Sequence, residues 1–125
     1  MAVTSSIPPS ERGPNASDRL RQVEHWCEVV AWLCTQYEAE YRDGDLRTRL
    51  AVYHSIGLIV DSVKAFSDET RAAIRNVDWR WLSRTRAILV HQPWRANSRI
   101  VWSTAASDIP VLLAQLRHLR AQQGG

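Results

Sequence analysis

The sequence predicts an all-α protein, an up-down four-helix bundle with an additional short helix. Apolar residues recur at steps of three and four along most of the chain, which is the spacing of one helix face. No stretch alternates between apolar and polar residues as a half-buried strand would. Glycine and proline number five each, and several of them cluster near the N-terminus, so the rest of the chain is poor in residues that interrupt helices. At 125 residues, the chain is long enough for one domain.

The composition also predicts where the domain begins and where the protein acts. Residues 1–17 are rich in Ser, Pro, Asn and Gly, which predicts a disordered tail, and residues 18–121 form the helical domain. The N-terminus lacks the basic start and apolar run of a signal peptide. The longest apolar run, residues 29–34, is far shorter than the ~20 residues that cross a membrane. We therefore expect a cytoplasmic protein that does not contact membranes.

The first helix is predicted to begin at an Asp18 cap and to run to about Tyr41, because apolar residues follow one another in steps of three and four throughout. Residues 42–44 contain Gly44 and end it. Cys27 and Cys34 lie seven residues apart in this helix, roughly 10 Å along its axis, which is too far for a disulfide. We expect both to be reduced thiols.

Two further helices follow, each with a capping residue. Asp45 is the predicted cap of a helix that runs to about Phe66. Gly57 lies in its middle at a cost of about 1 kcal/mol relative to alanine, so we expect another helix to pack closely there. Ser67 is the predicted cap of a short helix anchored in the core by Ile74.

The last two helices contain the segment with the most unusual composition. Asp78 is the predicted cap of a helix over 79–91, which ends before Pro93. The final helix begins near Ser98. Pro110 lies inside it, so that either the helix kinks there or a new one starts.

Charge is distributed unevenly along the chain. Residues 18–45 contain seven acids and three arginines, a net charge of −4, whereas residues 71–99 contain seven arginines and one acid, a net charge of +6. One interpretation is that the basic segment contacts an anionic partner. The other is that the acidic and basic segments neutralise each other inside the bundle or across a dimer.

Arg86 and His91 are candidates for phosphate chemistry, because the arginine precedes the histidine at helical spacing. Histidine exchanges protons near neutral pH, and the arginine fork matches phosphate oxygens. Arg84 is the second candidate partner, since it shares a helix face with His91. In the structural alternative, Arg86 is a buried arginine that pairs with carbonyl groups or with an acid such as Glu24 or Asp61. His91 would then interact only with the carbonyl end of its helix.

Residues 86–91 read Arg-Ala-Ile-Leu-Val-His, which resembles the Arg-x4-His motif of the HEPN superfamily. The surroundings resemble most its HepT-like toxin and ribonuclease branch. Four other features of that branch occur in the same order along this chain, over about residues 18–120: Ile56-Gly57, Trp79, Val101-Trp102 and the run 109–113, Ile-Pro-Val-Leu-Leu.

The resemblance implies a homodimer in which two Arg/His sets meet in a cleft. It also implies a metal-independent endoribonuclease without a cofactor, the toxin beside a nucleotidyltransferase antitoxin. Arg86 and His91 would be catalytic. Other side chains of the same stretch would bind RNA, the arginines through phosphates and the tryptophan by stacking on a base: Arg80, Arg84, Trp94, Arg95 and Arg99.

Several positions depart from the pattern of this branch. Ala87 stands where Asn is usual, Gln92-Pro93 where Asp-Tyr is usual, and Leu58 where Glu is usual. The missing tyrosine is the residue that the nucleotidyltransferase modifies in the branch. These departures support a second hypothesis, a catalytically weakened HEPN bundle that acts as a dimeric binding partner of a nucleotidyltransferase.

Overall fold

The computed structural model of the protein describes residues 16–122, and all regular secondary structure within them is helical, as predicted. A 3₁₀ turn over Pro93–Arg95 and a π turn over Thr104–Asp108 connect the later elements. The α-helices in chain order are α1 Ala16–Gln36, α2 Glu38–Arg42, α3 Leu46–Val63, α4 Asp68–Ala73, α5 Trp79–His91, α6 Ser98–Ser103 and α7 Ile109–Gln122.

The predicted tail lies outside the described residues except at its end. Residues 16 and 17 form the first turn of α1, so this helix begins two residues before the predicted Asp18 cap. The disorder expected of the preceding residues stays a prediction.

The helices form a bundle in which α1 packs against both α3 and α7, and α3 packs against α5. Most of the helix faces predicted from apolar spacing are buried, but Tyr37, Leu46 and Leu50 at the ends of these faces are exposed. Side chains from these four helices fill the core at 0–6% exposure, among them Leu20, Val23, Val30, Val52, Ile56, Ile59, Leu82, Leu89, Ile109, Leu112 and Leu116. Burial of this apolar surface is the main force that holds the helices together.

The prediction of one continuous first helix is wrong, because residues 16–42 form two helices. The chain breaks at Tyr37, whose φ and ψ are −127° and 27°, and α2 restarts at Glu38. The apolar spacing continues unchanged across this break, so the pattern gave no sign of it. Tyr41 is buried in α2, and its hydroxyl donates a hydrogen bond of 2.7 Å to the carbonyl oxygen of Ser98.

All three predicted caps after the first helix are confirmed. Asp45, Ser67 and Asp78 each accept a hydrogen bond from a backbone N–H in the first turn of α3, α4 and α5, at 3.0, 3.1 and 2.8 Å. Each bond satisfies a backbone donor that the helix itself leaves unpaired. The hydroxyl and then the N–H of Thr48 also hold the pKa of Asp45 below its usual value.

A new α-helix, α7, starts at Ile109 immediately before Pro110, which is the second of the two predicted alternatives. The backbone passes from α6 through the π turn directly into α7, with Pro110 in the first turn of α7. Proline has no N–H to bond back to the preceding turn, and the wider π turn accommodates that loss. Asn97, which the sequence analysis did not identify as a cap, accepts hydrogen bonds from the N–H groups of Arg99 and Ile100.

The acidic face of α1 is neutralised by α7. Glu24 is buried, and Arg120 reaches both of its carboxylate oxygens, at 2.6 and 3.1 Å. Arg117 contacts Glu28 at 3.0 Å. Glu24 and Glu28 are therefore paired with arginines outside the 71–99 segment. Within that segment, Arg71 and Arg86 pair with Asp68 and Asp61, and its other arginines form no ion pair with the described residues.

Both cysteines are free thiols, as predicted. Burial is the main cause that raises the pKa of Cys27 to about 12, and burial likewise raises that of Cys34 to about 11. An unfolded thiol ionises near pH 9, so between pH 9 and 12 the unfolded chain loses a proton that the folded Cys27 keeps. This contribution to stability is complete below pH 9 and is lost as the pH rises.

We expect the free energy of unfolding of the Cys27→Ala variant to fall less steeply with rising pH than that of the wild type. One proton released on unfolding lowers the free energy of unfolding by about 1.4 kcal/mol per pH unit. Urea unfolding at pH 8, 9.5 and 10.5 measures this slope. Cys34→Ala should weaken the fall in the same pH range, because the folded Cys34 thiol keeps its proton up to about pH 11. Equal slopes for wild type and Cys27→Ala would contradict the expectation.

Candidate active site

Helix α5 carries the two candidate catalytic residues and is fixed at its start. Asp78 caps it, and the loop before it contains Asn76 in the left-handed region with φ 63°. The side chain of Gln115 on α7 accepts a hydrogen bond from the N–H of Arg75 and donates one to its carbonyl, at 2.7 and 2.8 Å. These contacts hold the beginning of α5 against α7.

Gly57 allows α3 and α5 to approach closely, as the sequence predicted. A Cβ atom at residue 57 would lie 3.2 Å from Cγ2 of Val90. That is tighter than an ordinary contact between carbon atoms, which is optimal at about 3.5–4.0 Å. The glycine therefore sets the separation of the two helices next to His91.

One helical turn from this contact, Arg86 forms an ion pair with Asp61 of α3. The Nη2 atom donates a hydrogen bond of 3.0 Å to Oδ2, and Nε lies 2.9 Å from Oδ1. The contact of Nε is electrostatic only, since this buried atom makes no hydrogen bond within the described residues. Asp61 was one of two acids named in the structural alternative, and the structure selects it over Glu24.

The pairing leaves part of Arg86 accessible. Its side chain is 29% exposed, and none of the described residues accepts a hydrogen bond from Nη1. Asp61 thus fixes two of the three guanidinium nitrogens and leaves the third to meet an anion. The pair spans partly exposed groups, so its contribution to folding stability is at most about 1 kcal/mol.

His91 is the last residue of α5 and is exposed. The N–H of Gln92 closes the helix by bonding to the carbonyl of Ile88, and the Gln92 side chain accepts a hydrogen bond of 2.7 Å from Arg95. Within the described chain, the ring of His91 makes no hydrogen bond, so it does not pair with the free carbonyl groups of the helix end as the structural alternative assumed.

The two side chains do not converge within one chain. Five residues of α-helix correspond to a rise of about 7.5 Å and a rotation of about 140°. Arg84, seven residues before His91, points within about 20° of it, and both are exposed. Arg86 instead turns towards α3. In an ideal helix, the side chains of Arg86 and His91 therefore leave α5 in different directions.

The other predicted RNA-binding side chains are exposed, as an interface requires. Trp94 lies in the 3₁₀ turn after α5 and is 78% exposed, the highest value among the large apolar side chains of residues 17–122. Within the same range, no carboxylate forms an ion pair with the exposed arginines of this group: Arg80, Arg84, Arg95 and Arg99.

The described part of the chain has neither a metal-binding cluster nor a helix that could span a membrane. No three His, Cys, Asp or Glu side chains there are grouped so that they could hold a metal ion. Every helix there is also too short or too polar to cross a bilayer.

Comparison with known proteins identifies the family. The family model described as "Ribonuclease HepT-like" matches residues 22–119, which covers all of α3 and α5 and most of α1 and α7. The chain belongs to the HepT-like ribonuclease family. The resemblance seen in the sequence is therefore confirmed.

Two curated proteins are similar to parts of this chain. A protein of Thermococcus cleftensis named "Probable ribonuclease HepT" is 28% identical over 76 residues, 61% of this chain and 69% of its own length. A protein of Caldanaerobacter subterraneus subsp. tengcongensis, named as an RNase, is 30% identical over 69 residues, 55% of this chain and 62% of its own length. No solved structure matches the chain.

Sequence reasoning placed Arg86 and His91 but gave Asp61 only as an alternative partner. A usable signal was present, because Asp61 lies four residues after Gly57 and Arg86 lies four residues before Val90. In antiparallel helices, equal steps from one contact lead to the next contact. The sequence analysis had no basis for choosing the first contact.

We expect Gly57→Val to force α3 and α5 apart, because even a single methyl at this position would already be close to Val90. The free energy of unfolding should fall by about 1–3 kcal/mol, the range for overpacked sites. Gly57→Ala is the matched control and should change it by less than about 1 kcal/mol, since better helix propensity offsets the contact. Urea unfolding measures both, and a Gly57→Val variant as stable as wild type would refute the close contact.

Proposed function

We propose that this protein is an endoribonuclease that cleaves RNA without a metal, by attack of a 2′-hydroxyl on the adjacent phosphate. His91 takes the proton of the 2′-hydroxyl, and Arg86 stabilises the charge that develops on the phosphate oxygens. The 2′-oxygen bonds to phosphorus as the bond to the 5′-oxygen breaks, and the departing 5′-oxygen takes up a proton from water. The products are a 2′,3′-cyclic phosphate and a 5′-hydroxyl.

The main support for the proposal is that Arg86 and His91, on the motif helix of a HepT-like ribonuclease, can both contact a ligand. Arg86 is held by Asp61 with one nitrogen unengaged, and His91 is exposed without a hydrogen bond inside the described chain. Both groups are thus available for catalysis. The net positive charge of residues 71–99, which α1 does not neutralise, supports an anionic substrate.

The site we propose is formed by two copies of the chain. The divergence of Arg86 and His91 around α5 supports a dimer in which the α5 helices face each other, so that Arg86 of one copy lies near His91 of the other. Val90 and Trp94 flank His91 and are 39% and 78% exposed, which supports an apolar contact at this face. In the cell, we propose that the enzyme is a toxin controlled by a nucleotidyltransferase antitoxin.

We expect His91→Ala and Arg86→Ala each to reduce RNA cleavage in EDTA by about 100-fold or more, because each removes a separate part of the chemistry. His25→Ala and Arg21→Ala on exposed positions of α1 are the matched controls and should cleave like wild type. Cleavage of a labelled RNA under single-turnover conditions measures the rates. Loss of wild-type activity in EDTA, or unchanged rates in both site variants, would contradict the proposal.

We expect Asp61→Asn to slow cleavage about tenfold, because the guanidinium of Arg86 is then less firmly oriented. In an Arg86→Ala background, the same substitution should have no further effect, since Asp61 acts only through Arg86. Single-turnover rates of the two single variants and the double variant measure this coupling. Additive losses would show that Asp61 has a separate role.

The second candidate function is a weakened bundle that binds a nucleotidyltransferase. The ion pair of Arg86 with Asp61 favours it, because the arginine is already occupied in part, and Gln92-Pro93 lacks the acid and tyrosine of the branch. Co-purification with a nucleotidyltransferase encoded beside it, together with no cleavage by the isolated chain, would support this candidate. Cleavage that depends on His91 would exclude it.

A further inference from the structure

A second basic site lies at the end of the bundle where α5 ends. Tyr41 and Arg42 of α2, Arg49 of α3, and Ser98, Arg99 and Trp102 of α6 line a groove of about 650 Å³. We call it the arginine groove. Its described lining residues include three arginines and two aromatic rings and no acid. The volume is within the range of ordinary ligand sites.

Arg49 is held in place by the backbone rather than by an acid. Its Nε donates a hydrogen bond of 2.9 Å to the carbonyl of Tyr41, and Nη2 lies 3.5 Å from the carbonyl of Arg42. Its guanidinium carbon lies 5.3 Å from the centre of the Tyr41 ring. The positive charge is therefore oriented without being neutralised, which suits recognition of an anion.

The aromatic wall of the groove is also fixed. The ring centres of Tyr41 and Trp102 lie 4.7 Å apart, and the Tyr41 hydroxyl donates a hydrogen bond to the carbonyl oxygen of Ser98. Burial raises the pKa of Tyr41 above its ordinary value, so the hydroxyl keeps the proton that it donates. Trp102 remains partly exposed in the wall. Arginines beside a fixed indole are the combination that binds a single strand, through phosphates and a stacked base.

One acid moderates the charge of the groove. Glu38 pairs with Arg42, with Nη2 at 2.7 Å from its carboxylate. Within residues 17–122, neither Arg49 nor Arg99 forms an ion pair with a carboxylate. Asp43 and Asp45 line a separate depression.

The groove lies near the end of α5 that carries His91. Arg49 precedes Gly57 by eight residues of α3, which is about 12 Å along the helix. Gly57 contacts Val90, the neighbour of His91. Arg99 follows His91 by eight residues, across the 3₁₀ turn that exposes Trp94. These positions place the groove and His91 towards the same end of α5.

We propose that the arginine groove binds RNA outside the cleavage point, with phosphates on Arg49 and Arg99 and a base stacked on Trp102. The identity of the strand as RNA rests on the proposed function, whereas the anion and base chemistry rests on the groove alone. The groove would hold the substrate while Arg86 and His91 act on a neighbouring phosphate.

The test uses the full chain and a fluorescent single-stranded 2′-O-methyl RNA about 12 nucleotides long, which covers a typical single-strand site. This RNA has no free 2′-hydroxyl, so binding is measured separately from cleavage. We expect Arg99→Ala to weaken binding about tenfold and to lower the slope of log K against log salt by about 0.7, the value for one phosphate contact on a single strand. Trp102→Leu should weaken binding about tenfold with little change of slope, because it removes stacking and no charge.

Two further variants keep the test independent of folding. Glu38→Gln should tighten binding about threefold, because it frees the charge of Arg42, and an unfolded variant cannot give that result. Arg21→Ala removes the same charge as Arg99→Ala but lies on α1 near Arg19, which bonds to Ala65 after the far end of α3. It should bind like wild type.

The groove is refuted if Arg99→Ala and Trp102→Leu bind the RNA like wild type. It is also refuted if Arg21→Ala weakens binding as much as Arg99→Ala. The same holds if polyglutamate displaces the labelled RNA as well as unlabelled RNA does, because the interaction is then a nonspecific attraction between charges. Cleavage of ordinary RNA by wild type with unaltered binding in the groove variants would leave the proposed function intact. If the groove variants weaken binding but the wild type cleaves no RNA, the proposed ribonuclease function is refuted and RNA binding in the groove is supported.

Discussion

The close packing of α3 against α5 is the contact on which the candidate site depends. Gly57 leaves room for Val90, and one turn away Asp61 meets Arg86. The first contact sets the distance between the helices, and the second orients the guanidinium. Since both contacts join the same pair of helices, a change in the spacing of α3 and α5 also moves the arginine that the proposed reaction uses.

The ion pairs divide the surface of the protein into two regions. Arginines of α7 neutralise the buried Glu24 and the exposed Glu28 of α1, and so stabilise the bundle. The arginines between residues 71 and 99 are mostly left to the solvent or to a ligand. Glu24 and Glu28 of α1 therefore do not neutralise the basic segment, because they take their partners from α7.

Local signals in the sequence predicted most of the fold. Side chains that cap helices act on the next few residues, so Asp45, Ser67 and Asp78 were found from the sequence alone. The break at Tyr37 was missed because the apolar face continues through it. For the backbone around Pro110, the sequence left two alternatives, a kink or a new helix. A proline shows that one backbone hydrogen bond is lost but does not show how the backbone adjusts.

The site was predicted less completely than the fold. The residue types of Arg86 and His91 suggested phosphate chemistry, and the family motif located them on one helix. The partner of Arg86 and the groove around Arg49 and Trp102 depend on contacts between elements far apart in the chain. Periodicity describes which face of a helix is buried but does not give the register between two helices.

The ends of the RNA products test the proposed chemistry most directly. Wild-type protein should cleave RNA in EDTA and leave a 2′,3′-cyclic phosphate and a 5′-hydroxyl, because the nucleophile is the 2′-oxygen of the substrate. An RNA with a single 2′-deoxy nucleotide at the cleaved position should remain intact. Products with a 3′-hydroxyl and a 5′-phosphate, or cleavage at the 2′-deoxy position, would show that water is the nucleophile and would contradict the roles given to Arg86 and His91.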